Sequence, residues 1–132
     1  MLYRHILRIK SEPDKFYDIT QRINEVVNNC MIKDGLCHLH LKGTTASLLI
    51  QEYDMMLLAD LRKLMDDLTP KKKLYQHPEN AFSHIRSSLL KTEITIPLFE
   101  GKLDFGQRQG IILMEFDTIA RERELVLTIS GE

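Results

Sequence analysis

Residues 35–42 read GLCHLHLK, in which Cys37, Leu39 and Leu41 alternate with His38, His40 and Lys42. Side chains along a strand point to opposite faces in turn, so this period of two specifies a strand with one buried and one polar face. The same alternation returns in TEITIPL, residues 92–98, and strand-like apolar stretches occupy 2–9, 44–52, 111–116 and 124–129. Between them the period changes to that of a helix. Ile23, Val26, Val27, Cys30 and Met31 share one helical face, and Leu57, Leu58, Leu61, Leu64, Met65 and Leu68 share another. Thr20 is placed to cap the first helix and Gly35 to stop it; Pro70 ends the second, and Asn80 is placed to cap a short third helix over 81–90. The expected fold class is α+β, with mostly antiparallel strands and helices covering one side.

A length of 132 residues fits one domain, 1–132, large enough to build a core without disulfides. The formal charge of −1, with acids and bases interspersed, leaves no basic footprint for nucleic acid or an anionic membrane. Apolar runs fall far short of the ~20 residues needed to cross a bilayer, and MLYRHILRIKSEPD lacks the apolar core and cleavage site of a signal peptide. A cytoplasmic location is expected. Cys30 and Cys37 have neither the spacing nor the number of a redox motif or zinc knuckle, and are expected to be reduced packing residues.

Four groups of residues carry candidate chemistry. His38 and His40 stand about 7 Å apart on one strand face, close enough to share a metal, although a polar sheet face or a subunit contact explains them more simply. In YQHPENAFSHI, residues 75–85, the loop around Pro78 can fold His77 back toward His84. A shared site would hold a metal, or would use the two imidazoles as general acid and base. By chemistry the nearest further ligands are Glu52 and Asp60, which also fit as solvated carboxylates at a strand end and on a helix. Gly101, Gly106 and Gly110 match neither a P-loop nor a GxGxxG, so turn-making is favoured over a phosphate cradle. Arg121 and Arg123 alternate with Glu122 and Glu124, which reads as a charged edge.

Taken in order, GLCHLHLKGTTASLLIQE, YQH, SHIRSSLL, ITIPLFEGKLDFGQRQGIILMEF and TISGE resemble the YjbQ-like family, described as secondary thiamine-phosphate synthases. The resemblance implies a two-sheet, mostly antiparallel β-sandwich with helices packed on one side, assembled as a homotrimer around a threefold axis. It further implies that histidines gather in a pocket at or near the subunit boundary. His77 and His84 match two of these, Glu52 and Asp60 match a strand-ending glutamate and a helix aspartate, and Gly101, Leu103, Gly106 and Gln109 match a glycine-rich element. This sequence also departs from the pattern. Gly43 stands where the family carries a histidine before its Thr-Thr/Ser-Ala segment. The loop between His77 and His84 is shortened and without its acidic residue, and Gly-Thr-Trp-Gln has become Gly106-Gln107-Arg108-Gln109.

From this resemblance His77, His84, Glu52 and Asp60 are the catalytic candidates, with His77 and His84 contacting a divalent metal, zinc or magnesium. Asn80, Lys102, Gly106, Arg108 and Gln109 are the ligand-binding candidates. The implied reaction joins an aminopyrimidine diphosphate to a thiazole phosphate and releases pyrophosphate. The alternative is a non-catalytic trimer that binds a metal or a phosphorylated small molecule at an incomplete site, a reading that Gly43 favours.

Overall fold

The computed structural model describes residues 1–132. The elements run β1 (Leu2–Ser11), β2 (Phe16–Asp18), α1 (Thr20–Asn29), β3 (Gly35–Leu41), β4 (Ala46–Gln51), α2 (Met55–Leu68), α3 (Ala81–Leu89), β5 (Glu93–Phe99), β6 (Lys102–Leu103), β7 (Gly110–Glu115) and β8 (Arg121–Gly131). They form a five-stranded sheet of order β1-β8-β3-β5-β6 and a three-stranded sheet of order β2-β7-β4. Every strand pairing is antiparallel. The expected α+β fold with two sheets is therefore the fold observed.

The alternation in β3 does what its period demands: Cys37, Leu39 and Leu41 are buried, and His38 and His40 line the opposite face beside Thr128 and Val126 of β8. Between the sheets, these residues meet Leu48, Leu113, Leu125 and Leu127, together with Ile23, Val26 and Val27 of α1. A second cluster covers the other face of the three-stranded sheet, where Phe16, Ile112, Met114 and Phe116 pack against Leu58 of α2. β7 thus feeds both cores, Ile111 and Leu113 inward and Ile112 and Met114 outward, which is why it reads as a continuous apolar run. β1 pairs with β8 along its whole length, from Leu2 opposite Ser130 to Ser11 opposite Arg121.

Several local expectations change. α1 ends at Asn29, so Met31 lies beyond it and is 78% exposed, and Gly35 opens β3 rather than stopping the helix. Thr20 does not cap α1: its hydroxyl donates to Asp18 Oδ1 and accepts from the Ile111 N–H, while Asp18 receives the Thr20 N–H. Asn80 stands at the N-cap of α3 without a side-chain cap bond, because its amide is turned toward Asp117. α2 carries its apolar stripe, yet Leu64 and Leu68 remain 52% and 64% exposed. No helix is long and apolar enough to cross a membrane.

Candidate functional site

His77 and His84 meet. Their ring centroids lie 4.8 Å apart with the planes tilted by 56°. The loop turns at Glu79, whose φ of 66° is left-handed, and closes when the Asn80 N–H donates to the Pro78 carbonyl. His77 Nδ1 lies 2.9 Å from that same carbonyl. A carbonyl only accepts, so this bond assigns the proton to Nδ1 and leaves Nε2 of the neutral ring with a free lone pair. Two imidazoles sharing a tetrahedral metal at bonds of roughly 2 Å have centroids about 5 Å apart, a separation that this pair matches. A catalytic zinc takes three protein ligands. No group of three or more His, Cys, Asp or Glu side chains in the chain is placed to hold a metal.

Behind the histidines stands a buried polar network that the sequence reading missed. Asn80 Nδ2 donates to Asp117 Oδ1 at 3.2 Å, and Asp117 also accepts from the Thr118 N–H, the Thr45 hydroxyl and Arg121 Nε. Burial pushes the Asp117 carboxyl up, but the Thr118, Arg121, Asn80 and Thr45 donors outweigh it and hold the pKa at about 2. Thr45 in turn accepts from Arg123 Nη2 at 2.7 Å. Arg123 grips Glu115 through Nε at 2.7 Å and Nη2 at 2.5 Å, and Glu115 also accepts from the Ser11 hydroxyl and the Asp117 N–H. Arg123 is therefore not part of a charged edge. It continues the inward register of Leu125 and Leu127, as Glu115 continues that of Ile111 and Leu113, and the two bridge the sheets. That shared parity was the available sequence signal.

The other expected site residues lie elsewhere. Gly106 and Gln109 close a turn on themselves, the Gly106 N–H donating to Gln109 Oε1 and the Gln109 N–H to the Gly106 carbonyl. Arg108 is exposed in that turn, and Lys102 is exposed on the short edge strand β6. The turn delivers Gly110, which pairs with Gln51, the neighbour of Glu52. β7 then runs six residues to Glu115 before the chain reaches Asp117 and Asn80. A strand of that length spans roughly 17 Å. Within one chain Glu52, Gly106, Arg108 and Gln109 therefore gather at one end of the three-stranded sheet, and His77, His84 and Asn80 at the other. Asp60 is exposed on α2 and makes no side-chain bond. The expectation that Glu52 or Asp60 adds a ligand to the histidine pair is not met within the chain, because strand length separates the first and helix placement the second.

The remaining candidates have structural accounts. His38 Nε2 lies 3.2 Å from Glu93 Oε2 on the open sheet face, with His40 exposed beside it. Cys30 and Cys37 are free and buried, and burial, reinforced by Cys30, pushes the Cys37 thiol up to about 12.

The UPF0047 protein YjbQ-like family model matches residues 5–132. A UPF0047 protein of Synechocystis is 34% identical, covering 98% of this chain and 92% of the relative, and UPF0047 protein YjbQ of Salmonella typhimurium is 30% identical over the whole of both chains. Among solved structures, a YbjQ-like protein of unknown function from Sulfolobus solfataricus aligns with a TM-score of 0.91 at 27% identity, covering 100% of each chain. A YjbQ/UPF0047 protein from Clostridium acetobutylicum aligns at 0.85 and 31% identity, covering 97% of this chain and 99% of the other. With the family model spanning nearly its whole length and the same two-sheet fold in these relatives, the chain belongs to the YjbQ-like UPF0047 family.

Proposed function

We propose that this chain is the ligand-binding subunit of a homotrimer, in which the His77–His84 pair holds a divalent metal or a phosphorylated small molecule at a site completed across the subunit boundary. The observation that carries this reading is the 4.8 Å separation of the two rings with Nε2 of His77 free. Two donors are too few for a metal site of the catalytic kind, and the further candidates Glu52 and Arg108 sit at the far end of β7. A neighbouring subunit would be the source of what is missing. Buried reduced cysteines are in keeping with a cytoplasmic setting.

The synthase reading depends on the same assembly. Joining an aminopyrimidine diphosphate to a thiazole phosphate requires donors at the departing diphosphate and alignment of the attacking nitrogen. Lys102 and Arg108, the expected cations, do not face the histidines of their own chain, and Gly43 removes one imidazole. Binding is therefore the reading stated, with zinc or magnesium as the metal.

Metal analysis of protein purified without a histidine tag, run beside His77→Ala and His84→Ala and combined with light scattering, tests it. The expected result is near-stoichiometric metal, or phosphate-dependent stabilisation, lost in both variants, on a particle of three subunits. A monomer with neither response ends the reading, and pyrophosphate release from the two thiamine precursors would restore the synthase in place of simple binding.

A further inference from the structure

We infer that the ligand of the histidine pair is a phosphate group, held from its other side by Arg108 of the partner subunit, so that each site joins opposite ends of two chains. This arrangement rests on the trimeric reading of the chain and gives the neighbour its role. Within one chain Arg108 does not reach the histidines. It lies two residues before Gly110, where β7 begins, whereas His77 and His84 lie past the other end of a strand that spans roughly 17 Å.

The turn that carries Arg108 is built to present it. Gln107 and Arg108 are its central residues, and it is closed twice, by the Gln109 N–H on the Gly106 carbonyl at 3.1 Å and by the Gly106 N–H on Gln109 Oε1 at 2.7 Å. Arg108 is exposed on this fixed base and enters none of the ion pairs within the chain. Its fork of donors is left for a ligand, and phosphate is an acceptor that such a fork matches in a bidentate way.

The two ends of the subunit also differ in charge, as a head-to-tail contact requires. Asp18 lies beside Gly110, Glu52 follows Gln51, the partner of Gly110, and Asp104 precedes the turn, so acids outnumber Arg108 at that end. At the histidine end Lys72 and Lys73 are exposed, and Glu79 is the one carboxylate in the loop between Pro70 and Asn80. An acidic end facing a basic end selects contact between unlike ends, and contacts of that kind close into rings.

The chemistry divides between the two subunits. His77 Nδ1 carries its proton toward the Pro78 carbonyl, so its Nε2 lone pair accepts the hydroxyl of a monoprotonated phosphate. The guanidinium of the partner subunit donates to the ionised oxygens of the same group. Neither end binds well alone, because one supplies an acceptor without charge and the other a charge without an acceptor.

The test is trans-complementation. His77→Ala and Arg108→Gln chains are co-expressed with different tags, neither of them histidine, the mixed particle is purified through both, and inorganic phosphate is titrated by calorimetry. Each variant alone is expected to bind phosphate at least tenfold more weakly than the parent. Any mixed ring of three contains one junction with an intact His77 facing an intact Arg108, so the expected result is one restored site per particle against three in the parent. Parent-like binding by Arg108→Gln alone, or a mixed particle with no restored site, overturns the proposal while leaving the histidine site standing. A parent that is monomeric or does not bind phosphate overturns it by removing the reading beneath it.

Discussion

Asn80 holds the head of α3 to the end of β7: its Nδ2 donates to Asp117 Oδ1 at 3.2 Å, and the helix N-terminus goes without a side-chain cap. The loop that carries His77 is thereby anchored to a buried carboxylate rather than to its own helix. Asn80→Ala is expected to cost about 1 kcal/mol in urea denaturation, as for one hydrogen bond, and to weaken any metal retained by the histidine pair. Unchanged stability together with unchanged metal content would show that the anchor is incidental.

Asp117 makes the acid side of the stability profile predictable. Its folded pKa of about 2 lies below the ordinary 3.8, so its contribution is complete above pH 4 and disappears as pH falls through 2. The difference corresponds to about 2 kcal/mol. Urea midpoints measured from pH 5 to pH 2 should fall more steeply for the parent than for Asp117→Asn, which starts less stable and lacks that titration. Parallel curves would contradict the assignment.

The Glu115–Arg123 pair should behave as one unit. Glu115→Gln or Arg123→Met alone strands a buried group and is expected to cost about 3–5 kcal/mol. The double variant should cost clearly less than the sum of the two, because neither charge is then left unpaired. A double-mutant cycle that came out additive would show that the two residues act separately.

Cys37 is buried with its thiol held near 12, and Cys30 is buried beside the end of α1. Thiolate is the reactive form, so native protein at pH 8 should resist iodoacetamide while urea-unfolded protein takes up two labels by mass spectrometry. Rapid labelling of the native state would mean that the inter-sheet core opens locally.

Legibility in the sequence followed the physical signal at each position. β3 and β5 announce themselves by alternation and β7 and β8 by apolar stretches, whereas β2 and β6, of three and two residues, are too short to show any period. Helical spacing identified the apolar face of α2 but not what covers it, and Leu64 and Leu68 are left open. The loop spacing permitted His77 to reach His84, and the family resemblance singled out the same two residues. The Glu115–Arg123 bridge stayed hidden because a charged residue near a strand entry reads as surface. Only its parity with Leu125 and Leu127 marks it as inward. Sequence order also says nothing of the length of β7, which sets Glu52 apart from the histidines.

The position of β8 between β1 and β3 has a consequence for synthesis. Among the eight strands of this fold β1 is made first and its sheet partner β8 last, with Leu2 waiting for Ser130. Pairings of such sequence separation form slowly. A nascent chain that has not yet reached Arg121 exposes β1 and one side of β3 as open edges, available to strands of other chains. The fold therefore closes only once β8 has been made, and until then the unfinished sheet is a natural client for chaperones.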